Sequence, residues 1–324
     1  MAGLTYEQSG VDYDRIDPLK IAAQRAAAAT ASQLAQHGFS EVQASRGESA
    51  YVVDVGPFFL ASIVECLGTK ALIADEMARL TGTSRFGAIA QDTIAMAVND
   101  LITVGATPLV VQAYWAAGGS DWFDDGQRSR ALVEGWQRAC EVCGVAWGGG
   151  ETPALAGVVE AGRIDLAASC TGLVNPKQRL SLGDALAPGD AIVLLASSGI
   201  HANGVSLARK LATTLPQGYM TPIDAAGTRY GDALLAPTTL YSIGSMFHGR
   251  DPTRLHWTMG GRYPQVRGEE RSLAERLSDL GYESRLVVPG NVARHFTGLQ
   301  QGFDEGVSYY LDDGDDIFQP GGAD

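Results

Sequence analysis

Apolar positions fall into short blocks whose periods can be read along the chain. Residues 18–37 (PLKIAAQRAAAATASQLAQH) are Ala-rich and predict a helix opened by Asp17-Pro18, an N-cap and first-turn pair. Residues 38–50 are rich in Gly, Ser and Glu and predict a loop. YVVDVG (51–56) and FFLASIVE (58–65) carry the β-branched and aromatic residues of two strands. TKALIADEMARL predicts a helix and FGAIA (86–90) a short buried strand. DTIAMAVNDLITVG (92–105) predicts a helix closed by Gly105. PLVVQAYWAAG predicts a strand and residues 124–143 a helix. Gly148-Gly149-Gly150 predicts a tight loop, and IDLAASCTGLV the strand that closes this half.

Asn175-Pro176 is the strongest boundary signal. Beyond it, LAPGDAIVLLASSG predicts turn, strand and Gly turn, and residues 203–213 a helix. APTTLYSIGSMFH and SLAERLSDLG predict two more helices, and ESRLVV a strand. The acidic, Gly/Pro-rich end, DDGDDIFQPGGAD, is expected to fray. Strands and helices mix without βαβ regularity, so the expected class is α+β in two domains, 1–174 and 175–324.

Composition narrows the function. The 324 residues are 45% hydrophobic and 19% charged, enough for a large core and against global disorder. With 24 basic and 37 acidic residues the net charge is −13, which disfavours a nucleic-acid partner yet allows a phosphorylated ligand in a local pocket. No stretch reaches the ~20 apolar residues of a membrane span. The opening MAGLTYEQSGVDYDRID lacks a basic-then-apolar leader, so a cytoplasmic location is expected. Four cysteines do not make a disulfide scaffold, and Cys140-x-x-Cys143 lacks a second pair at zinc spacing, so both are expected at the end of a core helix.

Several side chains could carry chemistry. Glu65 ends a predicted strand and precedes Gly68-Thr69-Lys70, a turn into a helix that would aim N–H groups and one ammonium at an anion. A purely structural turn fits equally well, and the P-loop pattern is absent. Asp92 and Asn99 lie seven apart, on one helical face at ~3.6 residues per turn, with Asp100 to one side. Asp92 also suits an N-cap and Asp100 an exposed acid. With Glu65 the two acids would form an oxygen-rich site suited to Mg²⁺. Glu151, after the glycines, is a candidate ligand or base, or a solvated loop acid. ASSGIHANGVSLARK brings Ser198, His201 and Asn203 to a turn that opens a helix and could hold phosphate. Gly260-Gly261 before Arg262 is a less specific cradle.

Together, TYEQSGVDYDRIDPLK (5–20), VECLGTKALIADEM (64–77), DTIAMAVNDLITVGATPL (92–109), GGGETPALAG (148–157), SSGIHANGVSLARK (197–210) and LLAPTTLY (234–241) resemble the phosphoribosylformylglycinamidine cyclo-ligase (aminoimidazole ribonucleotide synthetase) family. The resemblance spans most of the chain in the family's order. It implies a homodimer with N-terminal strands paired across the subunits, a C-terminal α/β domain, and ATP and Mg²⁺ as cofactors. The implied reaction belongs to purine biosynthesis. ATP phosphorylates the amide oxygen of formylglycinamidine ribonucleotide, the amidine nitrogen attacks the activated carbon, and phosphate leaves. Carried over by position, Glu65, Asp92 and Asp100 would bind metal. Gly68, Thr69, Lys70, Asp92, Asn99, Gly149, Glu151 and Thr152 would hold the nucleotide. His201, Lys70 and Asn203 would serve catalysis. Glu65-Cys66 stands where the family has Asp-Gly, HGFSEVQASRGES replaces its Gly-rich covering loop, and MGGRYPQVR and LQQGFDEGVSYY replace late motifs. These changes leave two alternatives open: an ATP-dependent enzyme of the same fold with another small substrate, or a non-catalytic nucleotide-binding paralogue.

Overall fold

The computed structural model describes residues 7–184, 186–187, 200–224 and 227–236, and the backbone of four short strands further on. The chain divides into two compact units, Met1–Ala191 with Gly199–Thr238, and Ile192–Ser198 with Thr239–Asp324.

The first unit is built on a six-stranded sheet. Its strands are β1 (Ser40–Glu41), β2 (Tyr51–Asp54), β3 (Phe59–Cys66), β4 (Thr107–Ala117), β5 (Ala146–Glu151) and β6 (Ile164–Val174), in the order β1-β2-β3-β6-β4-β5. All pairs are antiparallel except β4 with β5. Helices α2 (Lys70–Thr81), α3 (Phe86–Thr103) and α4 (Gly126–Cys143) belong to the same unit, and α3 packs on β3, β6, β4 and α4. Alternation along β6 sorts its residues by face: Leu166, Ala168, Cys170 and Val174 are buried, while Asp165, Ala167 and Ser169 are not. Among the described residues, no helix covers the other face of β3, β6 and β4, and Val64 on it is 69% exposed. Helices α1 (Tyr13–Thr30), α5 (Val205–Ala212) and α6 (Tyr230–Leu234) complete the unit.

Burial explains where the sequence pattern misled. FGAIA is not a strand; it is the first turn of α3, which runs unbroken through Asp92 to Thr103. α3 packs against both the sheet and α4, so it is buried on several faces, and its opening run mimics a buried strand. The expected loop at 148–150 lies within β5, which pairs with β4 along the sheet edge. The first helix starts at Tyr13 after Asp12, not at Pro18, and ends at Thr30 before a 3₁₀ stretch. Residues 38–50 are mostly turn and bend, as expected of a loop, and the segment is fastened to its surroundings. Ser45 is buried and accepts the Val52 N–H at 2.9 Å, and Ser49 donates to the Asp100 carbonyl at 2.8 Å.

Other expectations agree with the structure. β2, β3, β4, β6, α2, α4 and α5 fall where the pattern put them, within a few residues. α4 carries the N-cap Asp125, whose carboxylate accepts from the N–H groups of Gln127 and Arg128, and it ends at Gly144 with φ 65°. Cys140 and Cys143 end α4 as expected, and all four cysteines are free.

In the second unit the described strands are β7 (Trp257–Gly260) antiparallel to β8 (Tyr263–Val266), and β9 (Arg285–Pro289) parallel to β10 (Glu305–Tyr309). The strand expected at ESRLVV is β9. The helices expected at 237–248 and 272–281, the strand expected at 191–196, Ser198, Gly261, Arg262 and the acidic end lie outside the described residues.

Candidate functional site

The candidate residues start from the end of β3. Strand alternation turns Glu65 toward α3 and leaves Val64 and Cys66 on the open face. Near the C-terminal end of α3, Asp100 meets Glu65, and the two half-buried carboxyl groups share a hydrogen bond. Burial first, and then the Asp100 charge, raise the Glu65 pKa above the usual carboxylate range. Burial likewise raises Asp100, partly offset by the hydrogen bond from Glu65. Each acid of the pair thus holds a proton more readily than a free carboxylate does. Asn99 lies beside Asp100, also half-buried.

Past β3 the chain turns through Gly68, at φ 69°, into α2. A Cβ at Gly68 would meet nothing within 4 Å, so open space lies above the turn. The Thr69 hydroxyl lies 3.1 Å from that of Ser206 on α5. This contact ties the turn to the segment that begins at His201, whose φ of 53° is left-handed for a non-glycine residue. The GTK and HANG turns are thereby brought together, with Asn203 exposed beside them.

Two expectations need correction. Lys70 does not add a charge at the surface of the turn, and Asp92 is neither an N-cap nor an open ligand. Their side chains are fully buried, with Nζ and Oδ2 2.6 Å apart. A buried carboxylate requires a partner, and Lys70 supplies it. The structure therefore unites two of the three acids considered for metal. Among the described residues, no three His, Cys, Asp or Glu side chains gather in a metal-binding group.

The glycine-rich strand sits elsewhere. Register places Glu65 opposite Ala168, Ala168 opposite Ala113, and Ala113 opposite Gly150. Three strand spacings, or ~14 Å, separate Glu65 from that edge. Glu151 is level with Tyr114 and Ala167, on the face opposite Glu65, and Thr152 follows it, exposed. The glycines answer partly to packing: a Cβ on Gly150 would meet the Ala113 carbonyl oxygen at 2.0 Å, whereas one on Gly149 would meet only the Gln112 side chain, at 3.9 Å. Sequence reasoning missed Ser49 and Ser206, each of which fixes a site residue through one hydroxyl. No local pattern marks a serine for contact with a residue 51 or 137 positions away.

Residues 47–174 match the model of the family described as AIR synthase related protein, N-terminal domain. The phosphoribosylformylglycinamidine cyclo-ligase of Cupriavidus necator is 33% identical over 244 residues, covering 74% of this chain and 64% of that protein. Residues 47–174 thus form an AIR synthase related N-terminal domain, and the chain resembles the cyclo-ligases over most of its length. The trifunctional purine biosynthetic protein adenosine-3 of Bos taurus is 31% identical over 311 residues, covering 92% of this chain and 28% of that protein. The chain thus spans less than two thirds of the length of these relatives. Among solved structures, phosphoribosylformylglycinamidine synthase II from Thermotoga maritima gives a TM-score of 0.29 at 19% identity, covering 40% of this chain and 20% of that one.

The carboxylate pair has the donor chemistry of a Mg²⁺ site. Mg²⁺ is held by one or two carboxylates and completes its shell with water and phosphate oxygens. Two half-buried acids, which repel one another once both are ionised, fit that demand.

Proposed function

We propose that this chain closes the imidazole ring in purine biosynthesis, converting formylglycinamidine ribonucleotide and ATP into aminoimidazole ribonucleotide, ADP and phosphate. The observation that carries the reading is the Glu65–Asp100 pair beside the open Gly68–Thr69 turn, in a chain that resembles the cyclo-ligases. Glu65 and Asp100 would hold Mg²⁺, which when bound neutralises triphosphate charge. Gly68 and Thr69 offer the N-terminus of α2 to anionic oxygen. Asn99, Gly149, Glu151 and Thr152 are assigned to the nucleotide, and His201 and Asn203 to the substrate. The amide oxygen of the substrate receives the γ-phosphoryl group, which turns a poor leaving oxygen into phosphate. The amidine nitrogen attacks the same carbon and phosphate departs. Positioning of the two reacting groups is the chain's main contribution.

Residues 1–174 would then supply the nucleotide half and residues 175–324 the substrate half. The open face of β3, β6 and β4 supports a homodimer. Four free cysteines, and no helix among the described residues long and apolar enough to cross a membrane, accord with a cytoplasmic location.

The test is product analysis with purified protein, formylglycinamidine ribonucleotide, ATP and Mg²⁺. ADP and free phosphate should appear together and only when all components are present. Substrate-dependent ADP without free phosphate would indicate a small-molecule kinase. No substrate-dependent ADP would refute the assignment.

A further inference from the structure

Lys70 and Asp92 are the two site candidates that the fold encloses. Their charged atoms lie 2.6 Å apart and neither side chain has any exposed surface. Lys70 is the first residue of α2, and Ala71, Ile73, Ala74 and Met77 of that helix are buried with it. Asp92 is the seventh residue of α3, with Ile89, Thr93 and Ile94 buried around it. The Thr93 hydroxyl donates to the Ile89 carbonyl at 2.7 Å, so this neighbour is committed to its own helix. A cation that receives phosphate from solvent needs an accessible side, and Lys70 has none. A carboxylate that receives a hydrated metal needs one as well, and Asp92 has none.

We propose that Lys70 is the internal counter-ion of Asp92, and that the pair positions the Gly68–Thr69 turn against α3 without touching nucleotide or metal. This rests on the reading of Glu65 and Asp100 as the metal-nucleotide site. The logic is mechanical. The residue that follows Thr69 is pinned to α3 eight residues before Asp100, a rise of ~12 Å along one rigid helix. The ion pair thereby fixes the spacing between the anion-facing turn and the carboxylates. Removing one charge leaves the other buried without its counter-ion, whereas replacing both with apolar groups restores a neutral contact.

The experiment compares Lys70→Met, Asp92→Val and the double variant. Each single substitution is expected to lower Tm by roughly 5–10 °C, and the double to recover most of that loss. Calorimetry with Mg²⁺ and ADP should give the double variant a Kd within about threefold of wild type. Single variants with unchanged Tm would overturn the pairing. A folded double variant whose Kd rises by ~30-fold or more would overturn the positioning role and make one of the two residues a ligand.

Native-state lysine acylation followed by mass spectrometry needs no variant and decides the case even where the double variant does not fold. Lys70 should be unreactive with or without Mg²⁺ and ADP. Labelling that occurs without nucleotide and is suppressed by it would overturn the proposal. If the wild-type chain binds no Mg²⁺ and ADP, the nucleotide reading fails by itself, while the stability cycle and the acylation pattern still judge the pair.

Discussion

A half-buried carboxyl group beside a second one holds its proton more tightly than either does in water. Glu65 and Asp100 are such a pair, and the pH dependence follows in sign. Both bind protons more readily folded than unfolded, so their contribution to stability is complete below the ordinary carboxylate range, about 4. It is lost as pH rises through the raised values. Glu65→Gln removes one charge and keeps a donor, so the metal-free variant should lose less Tm between acid and neutral pH than wild type. In thermal scans near neutrality, millimolar Mg²⁺ should raise the wild-type Tm and leave the variant unchanged. An equal Mg²⁺ response in both would remove Glu65 from the metal site. Cysteine reactivity gives a second expectation at this scale. Burial pushes the thiols of Cys140, Cys143 and Cys170 up to about 12, so they stay protonated. Iodoacetamide at pH 8 should leave these three unmodified in native protein and alkylate all four cysteines in urea, read by intact mass. Modification of any of the three without loss of fold would contradict their placement.

Elements show what periodicity could and could not reveal. α2, α4, β3 and β6 were legible because each has one buried face, so period and burial coincide. The start of α3 is not legible in the pattern, because a helix with neighbours on several sides has no polar stripe to mark it. β5 reads as a loop because glycine carries no strand signal, yet its position against β4 demands glycine. Gly150→Ala would drive a Cβ into the Ala113 carbonyl oxygen, and its φ of 156° also disfavours a side chain. Urea denaturation of that variant should show a loss of about 2–4 kcal/mol. A loss below roughly 0.5 kcal/mol would mean that β5 is not held against β4 as described. A similar close approach joins α3 and α4, where a Cβ on Gly135 would meet Gly87 Cα at 2.6 Å.

At the scale of the molecule, one face of the sheet has no covering helix among the described residues. Val64 and Tyr114 are exposed there in a sheet whose other face is covered by helices. If a second copy covers this face, Val64→Asp should shift sedimentation from dimer toward monomer at micromolar concentration, with unchanged far-UV circular dichroism. A wild-type chain that sediments as a monomer would exclude that arrangement. The sequence by itself determined the family resemblance, the α+β class and most elements, because local propensity and short motifs act over a few residues. It also named Glu65 and Asp100 as acids worth watching. Only the tertiary structure decided that these two meet, that Lys70 and Asp92 neutralise each other in the core, and that Glu151 faces away from Glu65. The physical reason is that pairing across 22 or 35 residues, and the side of a strand on which a residue emerges, depend on register and burial that no local pattern encodes.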